Sequence, residues 1–171
     1  HDACAVVDIE VPETQALGDL NIESTTAKSL RFPVLLKPRT QVFLKSGIKG
    51  FIASDHIELK TELARFEQLV AFDDVLTNKH PDITEPMIQE YLTAAETAIF
   101  SVSGFVGRDG EIVARGAMKV LQRPRKVGIG LCFEGRQVDD ELVKKLSRLC
   151  TAVGYFGAFE SEFIVYGKRR L

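Results

Sequence analysis

Apolar positions in this chain of 171 residues recur in short runs and stripes, never in one long block. The opening HDACAVVDIEVPET predicts the end of a helix over residues 3–7, running into an extended VPET segment where Pro12 biases Val11 away from helix. Residues 15–28 are weakly patterned, with a short helix around 24–29. In RFPVLLKP the apolar residues at 34–36 are uninterrupted and bounded by prolines, the pattern of a short buried strand with Lys37 at its end. RTQVFLKSGIKGFIAS carries Gly47 and Gly50 with basic residues at 39, 45 and 49. It reads as a hairpin with a flexible, positively charged turn. Asp55 and Glu58 have capping-box spacing, and Ile57, Leu59, Leu63, Phe66 and Val70 predict a helix over about 57–70.

Residues 72–84 are polar and irregular, after which PMIQEYL reads as a strand. Residues 97–106 and 111–121 are extended segments joined by GRDG, and the Asp-Gly pair predicts that they form an antiparallel hairpin. RPRKVGIG is a loop rich in Arg, Lys and Gly. From Asp140 onward, Leu142, Val143, Leu146, Leu149, Cys150 and Val153 share one helical face that stops at Gly154. A last strand spans 159–165, and YGKR turns the chain back, so the sequence ends inside a hairpin.

Apolar residues make up 45% of the chain and charged residues 27%, enough to build a core and far from the composition of disorder. A net charge of −2 provides no global field for nucleic acid or an anionic membrane, and no apolar run reaches the length of a membrane span. Neither partner is expected. Cys4, Cys132 and Cys150 are odd in number, widely spaced and set among apolar neighbours, which reads as buried free thiols in a reducing, cytoplasmic setting. His1, His56 and His80 have no Cys, Asp or Glu at zinc spacing and no place in a Ser/His/Asp arrangement.

The element order is α+β without the alternation of a Rossmann domain. FPVLLKP, then IQEYL followed by Glu96, then GYFGAFESEFIV, in this order and with these gaps, resemble the ATP-grasp superfamily, in particular its carboxylate–amine ligases. The resemblance runs from about VPET to the C-terminus. It implies two lobes, each with an antiparallel sheet and helices, and a nucleotide bound between them. The expected division is the end of a preceding helix over 1–10, a small lobe over 11–84 with the phosphate-covering hairpin, and a large lobe over 85–171 truncated in its last hairpin.

Residue by residue, the resemblance implies that Lys37 meets the α- and β-phosphates of ATP, a compact charge at a strand end. Lys45, Lys49 and Gly50 belong to the phosphate-covering loop, whose glycines let backbone N–H groups approach phosphates. The sequence lacks GxxxxGK[ST], which excludes a Walker P-loop. Glu90 and Leu92 are implied to contact adenine through the backbone of a strand edge, with Gln89 nearby, and Glu96 to accept hydrogen bonds from ribose hydroxyls. Arg115 and Lys119, four apart on an extended strand, point the same way and would stabilise transferring phosphate. Glu160 and Glu162 share a strand face, and Glu162 is implied as a Mg²⁺ ligand. Glu160 stands where some relatives carry arginine. A second metal motif, acidic-x-Asn, is expected just after Leu171.

The implied reaction is ATP-dependent ligation of a small-molecule carboxylate to an amine or thiol through an acyl phosphate, with ATP and Mg²⁺ as cofactors and the remainder of a longer enzyme as partner. The chain alone is expected to lack turnover. Three other readings stay open: a phosphotransferase on the same fold, a non-catalytic nucleotide-binding module, and an α+β domain with strand-end lysines and no nucleotide function. Each proposed site residue also has a plain reading as a snorkelling lysine, a solvated basic turn or a surface acid.

Overall fold

The computed structural model describes residues 2–17, 30–42, 44–167 and 169–170, and the expected helix around 24–29 lies outside them. The described elements are helices α1 (Asp2–Val6), α2 (His56–Leu69), α3 (Asp74–Lys79) and α4 (Asp140–Ala152), with nine strands. The strands are β1 (Thr14–Ala16), β2 (Val34–Pro38), β3 (Phe51–Ala53), β4 (Pro86–Glu90), β5 (Ile99–Val106), β6 (Ile112–Arg123), β7 (Ile129–Arg136), β8 (Gly157–Tyr166) and β9 (Arg169–Arg170). They form two antiparallel sheets, ordered β1-β4-β2-β3 and β7-β6-β5-β8-β9.

The chain divides into a unit of Pro12–Leu92 and a unit of His1–Val11 with Thr93–Leu171. Both expected boundaries therefore move. Residues 85–92 belong with the four-stranded sheet, because β4 is hydrogen-bonded between β1 and β2. The N-terminal segment belongs with the other unit: Ile9 packs on its core, and Lys145 on α4 donates to both the backbone and the carboxylate of Asp8, at 2.6 and 2.7 Å.

In the first unit, Val34, Leu36 and Ile88 point to one side of the sheet and close on Leu59 and Leu63 of α2. That helix starts where the sequence placed it. Asp55 accepts from the N–H groups of Ile57 and Glu58, both at 2.8 Å, while Glu58 reaches back to the Ser54 N–H at 2.7 Å. Two expectations fail here. The described residues of 39–54 form no hairpin of their own: β3 pairs with β2, Leu36 opposite Phe51, and the connection bridges instead from Leu44 to Phe72. Residues 72–84 are not irregular, since Asp73 caps α3 and a 3-10 turn, Pro81–Thr84, follows.

In the second unit Phe100, Val102, Leu142, Leu146 and Phe163 form the core between α4 and one face of the five-stranded sheet. Asp139 caps α4 by accepting from the Glu141 N–H at 2.8 Å, and the helix stops before Gly154, at φ +66°. Part of the loop expected over 123–130 is the start of β7, which pairs with β6 as an edge strand and exposes Cys132, so that of the three cysteines expected to be buried only Cys150 is. No helix among the described residues is long and apolar enough to cross a membrane.

Candidate functional site

The candidate residues fall into two groups, one in each unit. In the first unit strand alternation places Leu35 and Lys37 on the sheet face away from α2, as it does Met87 and Gln89 on β4. The Lys37 Nζ donates to Gln89 Oε1 at 3.0 Å, and Gln89 Nε2 donates to Thr14 Oγ1 at 2.7 Å. Burial alone holds the Lys37 ammonium below its ordinary pKa of 10.5, because removing it from water disfavours the charge. Lys37 also lies inside β2 rather than at its rim.

Gly50 runs tightly beside β2. A Cβ there would sit 2.5 Å from the Leu36 carbonyl oxygen and 3.3 Å from the Lys37 Cβ, so this glycine has a packing reason to be one. Gly47 has open space around it. The loop carrying Lys45 is fastened by the Lys45 N–H to the Ala71 carbonyl at 2.7 Å, and the exposed ammonium lies 3.7 Å from Asp74. Lys49 is half-buried in the same connection. The strand-edge expectation for Glu90 does not hold: β4 is an interior strand, the Glu90 N–H donates to Glu13 at 2.8 Å and the Tyr91 N–H to Pro33 at 3.0 Å. Leu92 follows, half-buried, at the end of this unit.

In the second unit register puts the polar residues of three strands on the face opposite α4. Arg115 lies across from Ser103, and Ser103 from Glu160; Ser101 lies across from Glu162, and Lys119 from Ile99. Lys119 and Glu162 meet at 2.5 Å, the lysine side chain only 7% exposed and the glutamate 48%. Buried Ser101 donates to Glu160 Oε1 at 2.5 Å. Arg115 is exposed and donates to the Ala114 carbonyl. The expected common face of Arg115 and Lys119 is present, and only the latter has an ion-pair partner among the described residues.

A pocket of about 220 Å³ opens beside this face, lined by Glu96, Ile99, Lys119, Gln122, Arg123 and Arg125 among others. Glu96 sits in the 3-10 turn Thr93–Glu96, 18% exposed, with Arg125 Nε at 3.7 Å and Lys126 Nζ at 3.9 Å. Buried Gln122 ties the pocket together by donating to the carbonyls of Ala95 and Arg125. Gln122, Arg125 and Lys126 were not singled out from sequence. Their signal was the basic run RPRK directly after the β6 pattern, which shows charge but not what the charge faces.

The described residues contain no cluster of three or more His, Cys, Asp or Glu fit to hold a metal ion. The donor set on β8 fits a hard cation shared with phosphates, in which one or two carboxylates suffice, and not a cage built wholly from protein.

Neither a protein-family profile nor a curated protein sequence matches the chain. Solved structures do. The chain is similar to biotin carboxylase from Campylobacter jejuni, crystallised as its β,γ-ATP complex (TM-score 0.67, 16% identity, covering 97% of this chain and 36% of that one). It is similar to L-amino acid ligase from Bacillus licheniformis (TM-score 0.63, 15% identity, 99% and 39%). It is also similar to D-alanine–D-alanine ligase from Bacillus anthracis (TM-score 0.58, 15% identity, 99% and 52%). The chain therefore has the ATP-grasp fold. It spans about a third to a half of the length of these proteins.

Proposed function

We propose that the chain is the ATP-binding part of an ATP-dependent ligase that joins a carboxylate to an amine or thiol through an acyl phosphate. The observation that carries this reading is the polar face of the five-stranded sheet, where Arg115, Lys119, Ser101, Glu160 and Glu162 gather beside the Glu96 pocket. Support from elsewhere comes from the fold, whose representatives include ligases named for joining amino acids.

Glu96 would accept hydrogen bonds from ribose hydroxyls, a role suited to a carboxylate at the wall of a pocket. Lys37 would bind phosphate as a point charge. Lys119 and Arg115 would face the charge that develops on the transferring phosphoryl group. Glu162 would hold magnesium, which when bound supplies neutralisation of phosphate charge. Lys119 already orients that carboxylate, whose half-exposed side chain leaves lone pairs open. No side chain has to act as a covalent nucleophile, so these residues would work by positioning and charge.

The test compares ATP with 2′,3′-dideoxyATP in the parent and in Glu96→Ala. The parent should prefer ATP by roughly tenfold, the worth of hydrogen bonds to a charged acceptor, and Glu96→Ala should abolish the preference. Equal affinity of the parent for both nucleotides would remove Glu96 from the ribose site.

A further inference from the structure

Lys37 is a half-buried cation on the sheet face away from α2. Its Nζ is tied to a neutral amide rather than a carboxylate. Gln89 spends its other end on Thr14, whose hydroxyl in turn donates to the Pro12 carbonyl at 3.0 Å, so the amide can turn only by breaking both bonds. The chain of contacts runs from backbone through Thr14 and Gln89 to the ammonium, across three adjacent strands or their ends.

The orientation of Gln89 follows from this arrangement. An ammonium can only donate, so it must face the amide oxygen, and the amide nitrogen must then face an acceptor, which Thr14 supplies. A glutamate at position 89 would neutralise Lys37 and repel an incoming anion. A glutamine holds the ammonium in place without cancelling its charge. The lowered pKa of Lys37 is consistent with that, since burial is its cause, and Lys37 has no ion pair with a carboxylate among the described residues.

We infer that Gln89, anchored on Thr14, is a positioning residue that aims Lys37 at a polyphosphate without itself cancelling the lysine's charge. This rests on the nucleotide reading above for the identity of the anion, though not for the Lys37–Gln89 coupling itself. Gln89 would thus act through its side chain on the lysine, in addition to any nearness to the base.

The experiment follows the Lys37 side chain by NMR during a pH titration of the free protein, and measures the affinity of ATP and tripolyphosphate by calorimetry, in the parent, Gln89→Glu and Thr14→Val. In Gln89→Glu the Lys37 midpoint should rise, and ATP and tripolyphosphate should both bind about tenfold more weakly, the second having no base that Gln89 could touch. Thr14→Val, which spares both the amide and the lysine, should weaken tripolyphosphate by a smaller factor. An unchanged Lys37 midpoint in Gln89→Glu overturns the inference, whatever binds. If the midpoint rises but the parent binds neither ATP nor tripolyphosphate, the positioning role stands and the nucleotide reading fails.

Discussion

Lys37 and Lys119 are two solutions to holding a cation on a sheet away from water. Lys119 has Glu162 at 2.5 Å, and Lys37 has, among the described residues, the amide oxygen of Gln89 at 3.0 Å. For Lys119 the consequence is asymmetric. Glu162→Gln leaves a buried ammonium without its carboxylate and should cost about 1–2 kcal/mol, below the value for a fully buried pair because the glutamate is half exposed. Lys119→Met leaves only a half-exposed carboxylate and should cost less. Urea unfolding of both variants measures this order, and a larger loss in Lys119→Met would contradict it. For Lys37 the folded pKa lies below the unfolded 10.5. Between those values the unfolded chain binds more protons, so stability rises with pH there, and the cost of the buried charge is fully present below the folded pKa. Subtracting the Lys37→Met profile from the parent's should show that rise below 10.5, and a flat difference would mean that the lysine is solvated.

At the scale of elements, legibility in the sequence followed burial. Val34 and Leu36, Leu59 and Leu63, and Leu142 and Leu146 are buried on one face of β2, α2 and α4, and their spacing announced those elements. The elements missed lack such a stripe. No residue of α3 is buried, and β7 exposes Ile129, Leu131 and Phe133, so only its pairing with β6 defines it. The hairpin expected within residues 39–54 failed because glycines indicate where a chain bends and not which strand it returns to. Here the return is to β2, and Gly50 is the residue that permits close approach. Gly50→Ala should therefore destabilise by roughly 1–3 kcal/mol, since its Cβ would press on the Leu36 carbonyl, whereas Gly47→Ala should be close to neutral. Thermal unfolding of the two variants is the check, and equal midpoints would count against the tight packing beside β2.

Over the whole molecule, the resemblance read from three short motifs and the architecture agree on the ATP-grasp fold, at identities of 15–16% to the biotin carboxylase and amino acid ligase structures. Individual contacts were less visible. The sequence showed that Arg115 and Lys119 share a face, but the pairing of Lys119 with Glu162 depends on register across β5 that no local pattern encodes. The Gln89 anchor on Thr14 spans 75 positions, and the cations around Glu96 lie on the far side of a 12-residue strand. The proposed contact of Lys37 with phosphate is put to the test by calorimetric titration with ATP and with adenosine. ATP should bind saturably in the range of about 1 μM to 1 mM, and Lys37→Ala should weaken it roughly tenfold to a hundredfold with adenosine unaffected. No heat and no thermal shift at high ATP, or an equal loss of ATP and adenosine binding in Lys37→Ala, would contradict it.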